Sequence, residues 1–103
     1  ILEIVNLSDG KISQDPEKLK VRQLVADILP DFQILAEANG QCIVMDIPDG
    51  QNCLVDSKML QKALSNIILN AVQNTPTGGE IRIWSEPAAK QYRLCILNTD
   101  ARR

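Results

Sequence analysis

The sequence predicts an α/β domain of the α+β kind: a two-layer sandwich with two helices on one face of a mixed, mostly antiparallel sheet of about five strands. Three observations carry this expectation. Residues 21–39 and 56–74 place apolar side chains at helical spacing, each along one stripe. Shorter segments around 17–20, QCIVMDI, NCLV, EIRIWSE and QYRLCIL read as strands. Several of these runs follow one another directly instead of alternating singly with helices, which argues against a doubly wound parallel sheet.

Composition sets the outer bounds. The 103 residues are 45% hydrophobic and 23% charged with a formal net charge of -2, as expected for one small soluble globular domain. No basic stripe marks a nucleic-acid surface. The longest purely apolar runs are four residues, far short of the roughly 20 that a membrane-spanning helix needs. There is no histidine, so chemistry that needs an imidazole base, nucleophile or metal ligand cannot come from this chain. Three cysteines, Cys42, Cys53 and Cys95, have no C-x-x-C spacing and sit in strand-like segments, so a reduced, buried structural role is expected. The chain opens ILEIVNLSD without an initiator Met and stops at NTDARR just after a strand-like run, the pattern of a piece cut from a longer protein.

Taken in order, Ile1, Ile4, Val5 and Ser8 follow a helical stripe that Asp9-Gly10 ends, so residues 1–9 read as a helix tail and 10–16 as a linker. Glu17 to Lys20 is a short strand. Val21, Leu24, Val25, Ile28, Leu29, Phe32 and Leu35 form one face of a helix that Pro30 should kink or split and Asn39-Gly40 should stop. Pro48-Asp49-Gly50 between QCIVMDI and NCLV predicts a hairpin, with Cys53 near Met45. Asp56 is a candidate N-cap for a second helix ending at Thr75-Pro76. EIRIWSE alternates, with Ile81 and Ile83 on one face and Arg82 and Trp84 on the other. Residues 87–90 turn the chain into a final strand from Tyr92 to Leu97, and Asn98-Thr99-Asp100 opens a loop.

The second helix holds the unusual chemistry. Met59, Leu60, Ala63, Leu64, Ile67, Ile68, Ala71 and Val72 make its core stripe, while Asn66, Asn70 and Asn74, with Gln73 alongside, line a second edge with carboxamides. Asparagine is a mediocre helix former, and a solvated edge would more usually carry Lys, Glu or Gln. Polar flanking and a binding function both remain open on this pattern alone. An amide oxygen is a hard, neutral ligand suited to a Mg²⁺ ion that keeps water and shares substrate phosphates.

DSKMLQKALSNIILNAVQNTPTGGEIRIWSE, with N-x-x-x-N-A, then T-P-x-G-G, then an alternating strand, resembles the asparagine-rich box of the sensor histidine kinases. These belong with gyrase, MutL-type repair proteins and the ninety-kilodalton heat-shock chaperone in one ATPase group. The resemblance covers roughly residues 17–98. It implies a Bergerat-type ATP-binding fold, here incomplete at its C-terminus, with residues 17–103 as a partial catalytic domain and 1–9 as the end of a dimerisation and phosphoacceptor helix. It implies that Asn70 ligates the Mg²⁺ of bound ATP and that Asn66 takes the catalytic position near the phosphates, where hydrolytic relatives keep a glutamate. Gln73 falls where a basic phosphate contact is common, and Asn74 where an aromatic or histidine is frequent. Asn98 replaces the Asp that receives the adenine amino group, and Asp100 replaces a glycine.

The function so implied is positioning Mg·ATP for phosphoryl transfer to a histidine upstream of this chain, in a two-component signalling kinase that is an enzyme only when intact. Its partners would be a second copy, giving a homodimer, and a response regulator receiver domain, with no nucleic acid. The chain would be a cytoplasmic portion of a membrane-anchored bacterial sensor. Two alternatives stay open: a degenerate interaction domain, suggested by Gln73, Asn98 and Asp100, and a hydrolytic ATPase, against which the amide at Asn66 counts. For Ile1, Ile4 and Val5 a frayed end competes with dimer contact; for Trp84 packing or a partner surface is preferred to adenine stacking; Asp46 reads as a solvent-facing strand residue. The sheet edge near residue 97 is expected to lack a partner.

Overall fold

A computed structural model describes residues 2–7, 17–88 and 91–99. It contains strands β1 (Leu2–Leu7) and β2 (Glu17–Lys20), helix α1 (Val21–Ala38), strands β3 (Cys42–Asp46) and β4 (Asn52–Val55), helix α2 (Ser57–Asn74), and strands β5 (Glu80–Ala88) and β6 (Gln91–Thr99). A four-stranded sheet runs β1-β6-β5-β3, and β2 pairs with β4 in a separate two-stranded ladder. Only the β3–β5 contact is parallel, so the larger sheet is mixed and mostly antiparallel, with both helices on one face as expected.

Alternation decides which face the helices cover. Ile43, Ile81, Ile83, Leu94 and Ile96 point inward and are buried, together with Val21, Leu24, Val25, Leu29 and Ala36 from α1 and Leu60, Leu64, Ile68, Ala71 and Val72 from α2. Each such Val, Leu or Ile side chain contributes roughly 1.5–3 kcal/mol relative to exposure, which is how a chain this short offsets the entropy of ordering itself. Among the described residues no helix is long and apolar enough to cross a membrane.

The structure corrects several expectations. Residues 2–7 are a strand, not a helix tail: β1 pairs antiparallel with β6 from Leu2↔Leu97 to Leu7↔Tyr92. Over six residues helical and strand spacing select overlapping apolar positions, and here Val5 and Leu7 turn inward while Leu2 and Ile4 face solvent. The same pairing means that the edge at residue 97 has a neighbour. The expected linker 10–16, the helix end at Asp9-Gly10, the tip of the turn at 89–90, and Asp100 lie outside the described residues.

Pro30 does not split α1, which runs unbroken around it. The proline sits on the exposed side, where water can take the carbonyl it leaves without a donor, and buried residues on both sides of it anchor the helix to the core. The expected hairpin at Pro48-Asp49-Gly50 is also absent. The turn forms, with Gly50 at φ +92°, but β3 pairs with β5 and β4 pairs with β2. Local turn chemistry bends the chain, whereas strand partners are chosen by which side chains must reach the core. Cys53 consequently stands opposite Leu19 rather than near Met45. Finally, Asn98 and Thr99 continue β6 instead of opening a loop.

Candidate functional site

The amide-bearing helix is set in place from its first residue. Asp56 is its N-cap, and the carboxylate accepts the backbone N–H groups of Lys58 and Met59 at 3.1 and 3.3 Å. Burial of Leu60, Leu64, Ile68 and Val72 then fixes how far α2 is rotated about its axis. At about 100° per residue, Asn74, Ile67 and Ala71 lie roughly 40°, 60° and 100° from Asn70 toward the core, while Asn66 and Gln73 lie roughly 40° and 60° the other way. One ladder in the sequence therefore becomes two flanks.

On the sheet side, Asn98 of β6 lies opposite Ile81 of β5, and Ile96 lies opposite Glu3 of β1. These elements enclose a small cleft of about 40 Å³ lined by Glu3, Ile67, Asn70, Ala71, Asn74, Ile96 and Asn98. The structure thus brings Asn98 to Asn70 and Asn74, a proximity that its separation in sequence hides. Asn66 and Gln73 are exposed on the helix and do not line the cleft. Asn74 also braces the helix itself, its Nδ2 donating to the Asn70 carbonyl at 2.7 Å, one turn back.

Among the described residues no group of three or more Cys, Asp and Glu side chains could hold a metal ion. The donor set instead fits a Mg²⁺ shared with phosphate oxygens, for which the carboxamide oxygen of Asn70 is a suitable hard ligand. At about 40 Å³ the cleft is far below the roughly 300–1,000 Å³ of an enclosing ligand pocket, so these residues do not enclose a ligand by themselves. Glu3 was not expected there. Nothing in the sequence marks it, because its place depends on β1 joining the sheet.

A larger hollow of about 520 Å³ lies on the other side of the sheet, lined by Val44, Met45, Asp46, Arg82, Ile83, Trp84 and Leu97. It is open and carries none of the amides, so its size does not make it the functional site. Trp84 is half-buried there, its Nε1 donating to Glu86 at 3.0 Å, and Asp46 is exposed as expected. Arg82 lies beside it, its guanidinium held protonated above the usual arginine value by a hydrogen bond to Glu80. A base bound at the amide cleft would be on the wrong face to stack on Trp84. The three cysteines are free, but only Cys95 is buried; Cys53 is half-buried and Cys42 exposed, which corrects the expectation for that residue.

Sequence reasoning missed Gln41. It is only 8% exposed, and its Nε2 donates to the carbonyls of Val72 and Thr75 at 2.8 and 2.5 Å. A lone Gln after Asn-Gly carries no signal until the fold shows where it points.

No protein-family model matches the chain. It is 63% identical over 98 residues to the sensor protein VanSB of Enterococcus faecalis, covering 95% of this chain and 22% of that protein. It is 36% identical over 67 residues to the heme sensor protein HssS of Staphylococcus aureus, covering 65% of this chain and 14% of that one. The chain thus spans less than a quarter of either relative's length. Among solved structures, the catalytic domain of histidine kinase ThkA matches with a TM-score of 0.75 at 19% identity, over 84% of this chain and 60% of that one. A histidine kinase from Burkholderia phymatum matches with a TM-score of 0.76 at 18% identity, over 86% of this chain and 42% of that one.

Proposed function

Because this chain belongs to the sensor histidine kinases and carries the fold of their catalytic domains, we propose that it supplies one wall of the ATP site of such a kinase. In that site the γ-phosphoryl of ATP passes to a histidine imidazole outside this chain, leaving ADP. The observation that carries this reading is the convergence of Asn70 from α2 and Asn98 from β6 on one cleft.

The roles follow from placement. Asn70 is the residue to hold Mg²⁺, which when bound neutralises charge on the phosphates. Asn98 presents an amide to the adenine edge. Asn66 and Gln73, exposed on the outer flank of α2, would meet phosphates reaching beyond the cleft. Asn66 has no useful basicity, so it orients a phosphate rather than activating water, which favours transfer over hydrolysis. Asn74 lines the cleft while its amide hydrogen stays with the helix. The chain's own contribution is therefore positioning and hydrogen bonding by neutral amides, without a covalent step.

In the intact protein this region works within a homodimer on the cytoplasmic side of a membrane-anchored sensor, and the phosphohistidine formed outside this chain passes its phosphoryl group to an aspartate of a receiver domain. One structural neighbour is the histidine kinase ThkA in complex with the response regulator protein TrrA, which supports such a partner. The degenerate interaction domain and the hydrolytic ATPase are not favoured. In the intact kinase, Asn70→Ala should abolish autophosphorylation with the circular dichroism spectrum unchanged; normal phosphorylation would overturn the assignment.

A further inference from the structure

The last turn of α2 is held by side chains rather than by its own backbone, and one of them comes from a distant element. The last four carbonyls of a helix have no intrahelical donor. For Val72 the loss is enforced, since the residue four further on is Pro76, which has no N–H. Thr75 Oγ1 takes the Ala71 carbonyl at 2.6 Å, and one position earlier Asn74 Nδ2 adds a side-chain donor to the Asn70 carbonyl at 2.7 Å. Gln41 Nε2 takes those of Val72 and Thr75.

Gln41 reaches them because of how α1 ends. The Gln41 N–H bonds the Ala36 carbonyl at 2.8 Å and the Gly40 N–H bonds that of Glu37 at 3.0 Å, with Gly40 at φ +69°. This closing turn aims the Gln41 side chain into the interior. Two backbone bonds complete the junction: Gly78 N–H to the Gly40 carbonyl at 2.8 Å and Cys42 N–H to the Gly79 carbonyl at 3.2 Å. A side chain at Gly79 would have no room, since its Cβ would sit 2.7 Å from the Thr99 carbonyl.

Among the described residues the buried Gln41 Oε1 has no hydrogen-bond partner. A buried acceptor without a partner is costly, so the residue's value lies in its two donated bonds. We propose that Gln41 is a positioning residue for the nucleotide site: by gripping the end of α2 it sets the depth and rotation at which Asn70 and Asn74 meet the cleft. The inference rests on the proposed function of that cleft.

The test uses the intact kinase that carries this chain. Gln41→Met keeps the length and removes both donors and the stranded acceptor, so folding should survive. Its KM for Mg·ATP should rise by up to about tenfold, the weight of one or two ordinary hydrogen bonds, with kcat within about twofold. Gln41→Asn, one methylene shorter, should be intermediate, and it carries the test if the Met variant does not fold. Combined with Asn70→Ala, Gln41→Met should cause little further loss of Mg·ATP affinity, because both changes act through one helix end. A lowered melting temperature with KM unchanged would reduce Gln41 to a structural role and overturn the proposal. If Asn70→Ala itself left Mg·ATP affinity intact, the reading of the cleft would fail first, and this inference with it.

Discussion

Asp56 carries the first turn of α2 through two accepted N–H bonds, and no acidic residue in that turn can replace it. Asp56→Ala should cost about 1 kcal/mol, seen as a lower urea midpoint with unchanged slope. Asp56 was legible because N-cap chemistry is local. The cysteines show the opposite. Burial pushes the Cys53 and Cys95 thiols above their ordinary value of 9.0. The unfolded chain then gives up these protons first, so stability is full below about pH 9 and declines as pH rises through the folded values. Urea midpoints measured from pH 7 to 10 should fall at the upper end, and Cys53→Ala should flatten the decline. Alkylation should modify exposed Cys42 first and buried Cys95 last. The strand-like setting of all three could not reveal that order, because exposure depends on which face each strand turns to the helices.

At the scale of elements, α1 and α2 were legible almost to the residue, since eighteen-residue amphipathic stripes with clear stop signals leave little choice. Of the two expectations for Pro30, a kink or a split, the split fails because packing on both sides of the proline outweighs local propensity. Pro30→Ala restores an N–H in the helix interior and should stabilise the fold, by up to ~3 kcal/mol, in equilibrium denaturation; no gain would mean that α1 is already relaxed around the proline. β3 and β4 were found but wrongly paired with each other, because four or five residues of β-rich sequence do not specify a neighbour.

Across the whole molecule, β1 is the element least visible in advance and the one that closes the sheet beside β6. Leu7, at its end, is 2% exposed and belongs to the same core as both helices. Leu7→Ala should destabilise the protein by roughly 2–5 kcal/mol and raise hydrogen exchange at the β6 amides. Wild-type exchange at β6 would show that β1 contributes nothing to the sheet. The cleft also belongs to this scale. Its lining draws on β1, α2 and β6, so truncating any of them would remove part of the wall.

The sequence by itself determined the two helices, their C-terminal stops and the Asp56 cap, the inward and outward faces of β5 and the presence of a carboxamide edge, because each depends on neighbours within a turn or two of chain. It also carried the family resemblance, since that motif is contiguous. Only the tertiary structure decided that Asn70 and Asn74 face Asn98 while Asn66 and Gln73 turn away, that Glu3 joins them, and that Gln41 holds the helix end. The rotation of α2 is set by burial of its apolar stripe, and strand partners by the shape of the core. Both arise from side chains far apart in sequence meeting once water is excluded.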